Sequence, residues 1–409
     1  MIKRLLISFF SAVFIISIAA VIILYGRGYR YDPQSKKVSP TGILSVSSYP
    51  EKASVYLDDK LTSATNASIS LPPAWYRVRI SKEGYQHWEK KVRVQGEVVS
   101  TIDALLIPNN PSLKAVTATG IFAPQLSPSM TKVAYFITNS DTDPVSGKTK
   151  NGLWIMELIQ GPLGNKPAPK QVFIADRAYN LDQAKIYWST AEKEIILSFI
   201  DPKSKTSLPY LAFLISLENG SKTTPINITS RLNSILGEWQ QDFIKEENLK
   251  LQSLPPQLSL LLSQNTSRIR FSPDDNKILY QATSSAQLAP LINPPLIGTN
   301  PTEEVRKIEP QKYYVYDLKE DKNYYLFPAE NKSDEVSSPI WYSDSQHLLI
   351  VEKDKIYILD YDGLNKRSVY SGPFIDNLVI PWPAGEKIII LTNFNQPGPL
   401  ADLYEVDLR

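Results

Sequence analysis

One pattern returns between residues 126 and 390: a turn built from Ser, Pro, Asp or Gly, followed by an apolar strand. It is clearest as Phe271-Ser272-Pro273-Asp274-Asp275-Asn276-Lys277-Ile278-Leu279-Tyr280. Residues 126–135 (LSPSMTKVAY), 341–350 (WYSDSQHLLI) and 382–390 (WPAGEKIII) repeat it, and residues 188–197 (WSTAEKEIIL) carry a weaker copy. Each copy is followed by a strand of aromatic alternation, at Leu153-Trp154-Ile155-Met156, residues 210–215, Tyr313-Tyr314-Val315-Tyr316, Ile356-Tyr357-Ile358-Leu359 and Leu403-Tyr404-Glu405-Val406. The unit implied is a four-stranded sheet. One such sheet cannot bury both faces alone, whereas units stacked in a ring can.

Composition removes several kinds of chemistry. Lys plus Arg is 44 and Asp plus Glu is 42, so the net charge is +2 and there is no bulk drive toward nucleic acid. The chain has no cysteine and two histidines, His87 and His347. Disulfide frameworks, thiolate zinc sites, iron–sulfur clusters, Cys nucleophiles and multi-His metal sites are thereby excluded. No G-x-S-x-G elbow, Walker A loop, G-x-G-x-x-G, H-E-x-x-H or EF-hand loop is present. Asp360-Tyr361-Asp362-Gly363 lacks the ligands that complete a calcium loop and reads as a hairpin turn. No catalytic group, cofactor or metal is assigned.

From Leu5 to Tyr25 the chain runs 21 residues without a charge, enough for a helix to cross a hydrocarbon core of about 30 Å. Read as a cleaved signal peptide, with Ser17 and Ala19 as the small pair, it would leave apolar Val21 to Leu24 at the new terminus. An uncleaved anchor over residues 1–26 is expected, followed by a linker over 27–41. The expected orientation has the N-terminus cytoplasmic and the bulk of the chain extracytoplasmic. Charge counting does not favour it, because Arg27, Arg30, Lys36 and Lys37 follow the span while only Lys3 and Arg4 precede it. Long domains translocate largely regardless of such charges.

Residues 42–108 switch to a period of two, with strand candidates over 43–48, 55–57, 75–80 and 90–94 separated by Asp58-Asp59, Pro72-Pro73-Ala74 and Gln95-Gly96. A small all-β sandwich is expected. The run Ser47-Ser48-Tyr49-Pro50-Glu51-Lys52-Ala53-Ser54-Val55-Tyr56-Leu57-Asp58-Asp59-Lys60 resembles the opening of a PEGA domain. Leu71-Pro72-Pro73-Ala74-Trp75-Tyr76-Arg77-Val78 and Lys82-Glu83-Gly84-Tyr85-Gln86-His87-Trp88 resemble its later segments. Lys52, Asp59 and Ala74 stand where that family has glycines. The resemblance implies an immunoglobulin-like surface module without catalytic residues. Tyr85 and Trp88 are read as core aromatics rather than a sugar-stacking pair. Arg77, Arg79, Lys91 and Arg93 should share an outward face and form a candidate binding strip for an anionic envelope polymer, diluted by Glu83, Glu89 and Glu97.

The Phe271–Tyr280 unit and Leu359-Asp360-Tyr361-Asp362-Gly363-Leu364-Asn365 resemble the TolB-like, WD-repeat-like β-propeller repeat. The resemblance implies that the first turn joins the innermost strand to the second and the other turn joins the third to the fourth. Residues 112–409 are expected to form a propeller of five blades, or six if one hides in the irregular stretch before Arg268. The fourth strand of the last blade should come from residues 113–119. That irregular stretch, about 229–264, carries Leu232, Leu236, Trp239 and Phe243 at helical spacing after Thr229-Ser230 in a capping position, then a second short helix from Pro255-Pro256. The fold class expected is all-β with a helical insertion, behind one transmembrane helix.

The functional expectation is a non-catalytic, membrane-anchored envelope protein whose two modules bind a protein or an envelope polysaccharide. The rival is a propeller glycosidase using carboxylates at the funnel mouth. For it, Asp182, Glu335 and Asp376 are the candidates, each shortly before an innermost strand.

Overall fold

The computed structural model describes residues 2–26, 28–32, 37–138, 149–159, 167–175, 181, 184–200, 210–218, 224–329, 338–394 and 400–408. Helix α1 (Ile2–Gly26) is exposed along every described side chain. It is the one described helix long and apolar enough to cross a membrane, by the same criteria that a signal sequence would meet. A short hairpin, Tyr29–Asp32 with Lys37–Pro40, connects it to the first β module.

That module is a sandwich of two sheets. Gly42–Tyr49 pairs in parallel with Val99–Leu105 and antiparallel with Ala67–Leu71. The other sheet orders Lys60–Ala64, Ser54–Leu57, Ala74–Ser81 and Trp88–Val94. Alternate residues point inward, so Leu44, Val46, Val55, Val78, Ile80, Val92 and Val94 form one core. Lys52 and Asp59 both take positive φ, at 60° and 65°. The turns therefore keep the backbone geometry for which glycine is the easiest residue.

Five antiparallel four-stranded sheets follow. They run Phe122–Leu126, Lys132–Ile137, Gly152–Glu157, Lys170–Ile174; then Lys185–Trp188, Glu194–Ile200, Tyr210–Ser216, Ile226–Asn227; then Thr266–Phe271, Lys277–Ala282, Lys312–Asp317, Lys322–Pro328. The fourth is Ile340–Trp341, His347–Glu352, Lys355–Asp360, Arg367–Tyr370. The fifth is Val379–Pro381, Lys387–Thr392, Asp402–Asp407, completed by Leu113–Ala115 from the start of the module. The second strands are buried on both faces because each sheet is sandwiched. Ala134 and Phe136 pack with Ile195 and Leu197 of the second blade, while Val133, Tyr135 and Ile137 pack with Ile389 and Leu391 of the fifth. The first blade thus touches the last, and five blades form the propeller. The stretch before Arg268 holds helices and no sixth blade among the described residues.

Those helices are α2 (Leu232–Gln252) and α3 (Pro256–Asn265). Leu232 and Ile235 cover Ile196 and Ala212 of the second blade, and Leu258 and Leu262 cover Ile278 and Tyr280 of the third. The cap differs from expectation. Residues Thr229–Arg231 form a 3-10 turn and α2 has no side-chain cap. The Thr229 hydroxyl instead accepts the Ala212 N–H at 3.0 Å, tying the helix entry to the third strand of the second blade.

Candidate functional site

A cluster of buried polar side chains lies where the sandwich meets the fourth blade. Ile107, leaving the sandwich, packs with Tyr342, Leu349 and Tyr404 of the propeller. Around this apolar seam the turn of residues 360–365, between the third and fourth strands of that blade, faces Trp88–Val94. Gly363 supplies the turn at φ 84°, with its N–H on the Asp360 carbonyl at 2.9 Å. The hairpin reading of Asp360-Tyr361-Asp362-Gly363 therefore holds, and its side chains have a second use.

Trp88 is 5% exposed and sits in the sandwich core, as expected of a core aromatic. Its indole N–H donates to Asp360 Oδ2 at 3.1 Å. The Glu89 N–H donates to Asn365 Oδ1 at 3.1 Å, and Asn365 Nδ2 donates back to Asp360 at 2.9 Å. Lys90 Nζ donates to the buried Asp362 carboxylate, which also accepts Asn300 Nδ2 at 2.9 Å and the Thr302 hydroxyl at 2.6 Å. Arg367 donates to the His87 carbonyl at 2.9 Å, and Gln86 Nε2 to the Ser368 carbonyl at 2.8 Å. Beyond them the loop of residues 291–302 reaches back along the sandwich edge, where the Gly298 N–H donates to Gln95 Oε1 at 2.9 Å.

His347 stands behind this seam. Its Nδ1 lies 2.6 Å from Asp344 and its Nε2 3.4 Å from Asp360. Burial opposes an imidazolium, but the Asp344 charge and the hydrogen bonds to both carboxylates outweigh it and push the pKa up to about 10. His347 is therefore charged at neutral pH. Burial likewise opposes the Asp362 carboxylate, and Lys90, Thr302 and Asn300 overcome it, holding that carboxyl below its ordinary range. Glu320 is pushed up by burial, against the Asn300 N–H that it accepts at 3.0 Å. Trp88, Lys90, Asn300, Glu320, His347 and Asp360 help to line a cleft of about 230 Å³ between the modules.

The predicted basic strip is present as a face: Trp75 pairs with Arg93, Arg77 with Lys91 and Arg79 with Glu89 across two strands. Its four cations are not equivalent. Arg77 pairs with Asp59, and Arg79 lies over the Tyr56 ring at 4.3 Å. Lys91 and Arg93 are exposed, with no carboxylate partner among the described residues, and lie 5.3 and 6.0 Å from the ring of Trp75. Trp75 is 48% exposed. Among the three funnel carboxylates, Asp376 is exposed in a turn at φ 58°, and Asp182 and Glu335 lie outside the described residues. Sequence reasoning passed over Asp360, Asp362 and Asn365 as docking residues. The one signal available was that all three polar positions of the turn can accept hydrogen bonds.

The fold and site define a class: an all-β protein in which a small sandwich docks on a five-bladed propeller, behind one apolar helix. Residues 41–108 match the PEGA domain family. A protein assigned as TolB from Agrobacterium tumefaciens is similar at 14% identity, over 67% of this chain and 70% of that one, with a TM-score of 0.21. TolB from Acinetobacter baumannii is similar at 13% identity, over 79% and 53%, with a TM-score of 0.17. The β-propeller domain of the Trilobed protease from Pyrococcus furiosus is similar at 11% identity, over 91% and 97%, with a TM-score of 0.22. Comparison with curated proteins returns no match.

Proposed function

We propose that the chain is a non-catalytic envelope protein, held in the membrane by residues 5–25 with its N-terminus cytoplasmic. Its PEGA domain and propeller would form one extracytoplasmic binding head for a protein or an envelope polysaccharide. The observation that carries this reading is the use to which the buried polar groups are put. Asp360, Asp362, Asn365 and Lys90 spend their hydrogen bonds joining the two modules. Such a network fixes how two surfaces are presented together, which suits recognition. Protease shaving of intact cells tests the placement. Propeller peptides should be released while residues 1–26 stay with the membrane, and a propeller left untouched would sink the reading.

A further inference from the structure

The end of the sandwich nearest α1 carries an apolar loop tip left exposed among the described residues. Hydrogen bonds trace the way from the helix to that tip. The Gly28 N–H donates to the Tyr25 carbonyl at 3.1 Å, the Thr41 N–H to the Gly28 carbonyl at 2.9 Å, and the Glu97 N–H to the Thr41 carbonyl at 3.0 Å. Val98, next in the chain, lies against Gly298, where an added Cβ would stand 2.4 Å from its Cγ1. Arg30 donates to the Tyr25 carbonyl at 2.8 Å and lies 3.8 Å from the Tyr25 ring, the aromatic and basic pairing typical of a membrane–water interface.

The loop is pinned at both ends. On one side the Leu291 and Ile292 N–H groups donate to Asp321 at 2.6 and 2.7 Å, and on the other Gly298 donates to Gln95. Between the pins, residues 293–297 (NPPLI) are all exposed, with Leu296 at 47% and Ile297 at 73%. Ile43 and Val99, paired at the start of their strands, are exposed at this same end. So are Trp75 and Arg93, paired one step from the sandwich edge that begins at Ala74 and Val94.

We propose that this end is a second membrane contact: residues 294–297 dip into the leaflet that α1 leaves, and Trp75, Lys91 and Arg93 rest on its anionic phospholipid headgroups. The inference rests on the proposed reading of α1 as an anchor. Proline, Leu and Ile at a pinned tip, flanked by a Trp and two cations, match the depth order of an interfacial insertion, apolar groups below and amphipathic and basic groups above. Anionic lipid adds attraction for each cation near the surface, which uncharged lipid does not.

The chain has no native cysteine, so single nitroxide labels can be placed without background. The full chain, reconstituted in vesicles of phosphatidylcholine and phosphatidylglycerol, is labelled as Ile297→Cys, as Ile16→Cys within α1, or as Ile226→Cys on the outer strand of the second blade. Collision with a water-soluble nickel chelate should be about tenfold lower at position 297 than at position 226, as burial at the acyl boundary requires. It should be low at position 16 as well. Low collision at 16 with equal values at 297 and 226 overturns this proposal and leaves the anchor standing. High collision at 16 overturns the anchor, and the proposal with it. Adding Trp75→Ala, Lys91→Gln and Arg93→Gln to the Ile297→Cys chain should raise collision at 297 about threefold in anionic vesicles and leave it unchanged in pure phosphatidylcholine. If those changes leave position 297 unaffected but abolish retention on immobilised polygalacturonate, the strip belongs to a polysaccharide and the headgroup contact is refuted.

Discussion

Replacing Lys90 by Ala removes the ammonium that faces Asp362 across the seam. The Asp362 side chain is fully buried and that of Lys90 is 11% exposed, so solvent cannot substitute for the lost partner without opening the contact. Breaking a buried pair from one side costs about 3–5 kcal/mol. Asp362 keeps Asn300 Nδ2 and the Thr302 hydroxyl, which places the expectation at the lower end, about 3 kcal/mol. At about 1.4 kcal/mol per factor of ten, that is a rise of roughly 10²-fold in the opening equilibrium of the seam. Hydrogen exchange read by mass spectrometry at neutral pH measures it directly. Amides in residues 86–94 and 298–302 should exchange roughly 10²-fold faster, and those of the first two blades should not change. Lys91→Ala, one residue along and exposed, is the control and should have no effect on the seam. Pairing Lys90→Met with Asp362→Asn should restore most of the protection, because the unpaired buried charge is removed while the amide oxygen still accepts from Thr302. A rise below about fivefold would put this pair among ordinary surface salt bridges and refute the reasoning.

Alkali should act through His347. Its folded pKa of about 10 exceeds the ordinary 6.5, so the stability it confers is complete below pH 6.5 and lost as pH climbs through about 10. Thermal melts should show the midpoint falling across that window in the parent chain and a flatter profile in His347→Gln; matching slopes would count against the assignment. Gly152 has φ 142°, and an added Cβ would lie 1.9 Å from the Phe173 carbonyl oxygen, which is backbone and cannot swing away. Gly152→Ala should cost about 2 kcal/mol or more in urea titration, with a neutral result excluding this geometry. Asp402 accepts the Thr117 hydroxyl at 2.7 Å and the Gly120 N–H at 3.1 Å where the first and last strands meet. Asp402→Ala should cost about 1–3 kcal/mol by the same titration, whereas Lys114→Ala, 76% exposed, should cost almost nothing.

What could be read without a structure was whatever is encoded within about ten residues. The Ser-Pro-Asp-Asp turn before Lys277, the alternation in Tyr313-Tyr314-Val315-Tyr316 and the prolines opening α3 are all local, and each sits where its pattern indicates. Ring closure was also legible, because a blade ending on its third strand needs a fourth from elsewhere. The seam was not. Trp88 and Asp360 are 272 residues apart, and no local rule says which carboxylate an indole will meet. For the same reason the strip looked like four equal cations. Its reduction to Lys91 and Arg93 depends on Asp59 and Tyr56, which arrive from a neighbouring strand and its turn. Thr229 looked like a helix cap because a hydroxyl before an apolar helix usually is one, and a tertiary contact to Ala212 took it instead.

The strand that completes the fifth blade also imposes a schedule. Thr117 and Asp402 are 285 residues apart, so at about 5–20 residues per second the first strand waits roughly 15–60 s for its partner to be made. Throughout that interval Val133, Tyr135 and Ile137 lack the Ile389 and Leu391 side that finally covers them. The first blade is thus the earliest synthesised and the last to be closed. Any delay late in synthesis lengthens the exposure of an apolar face made at the beginning.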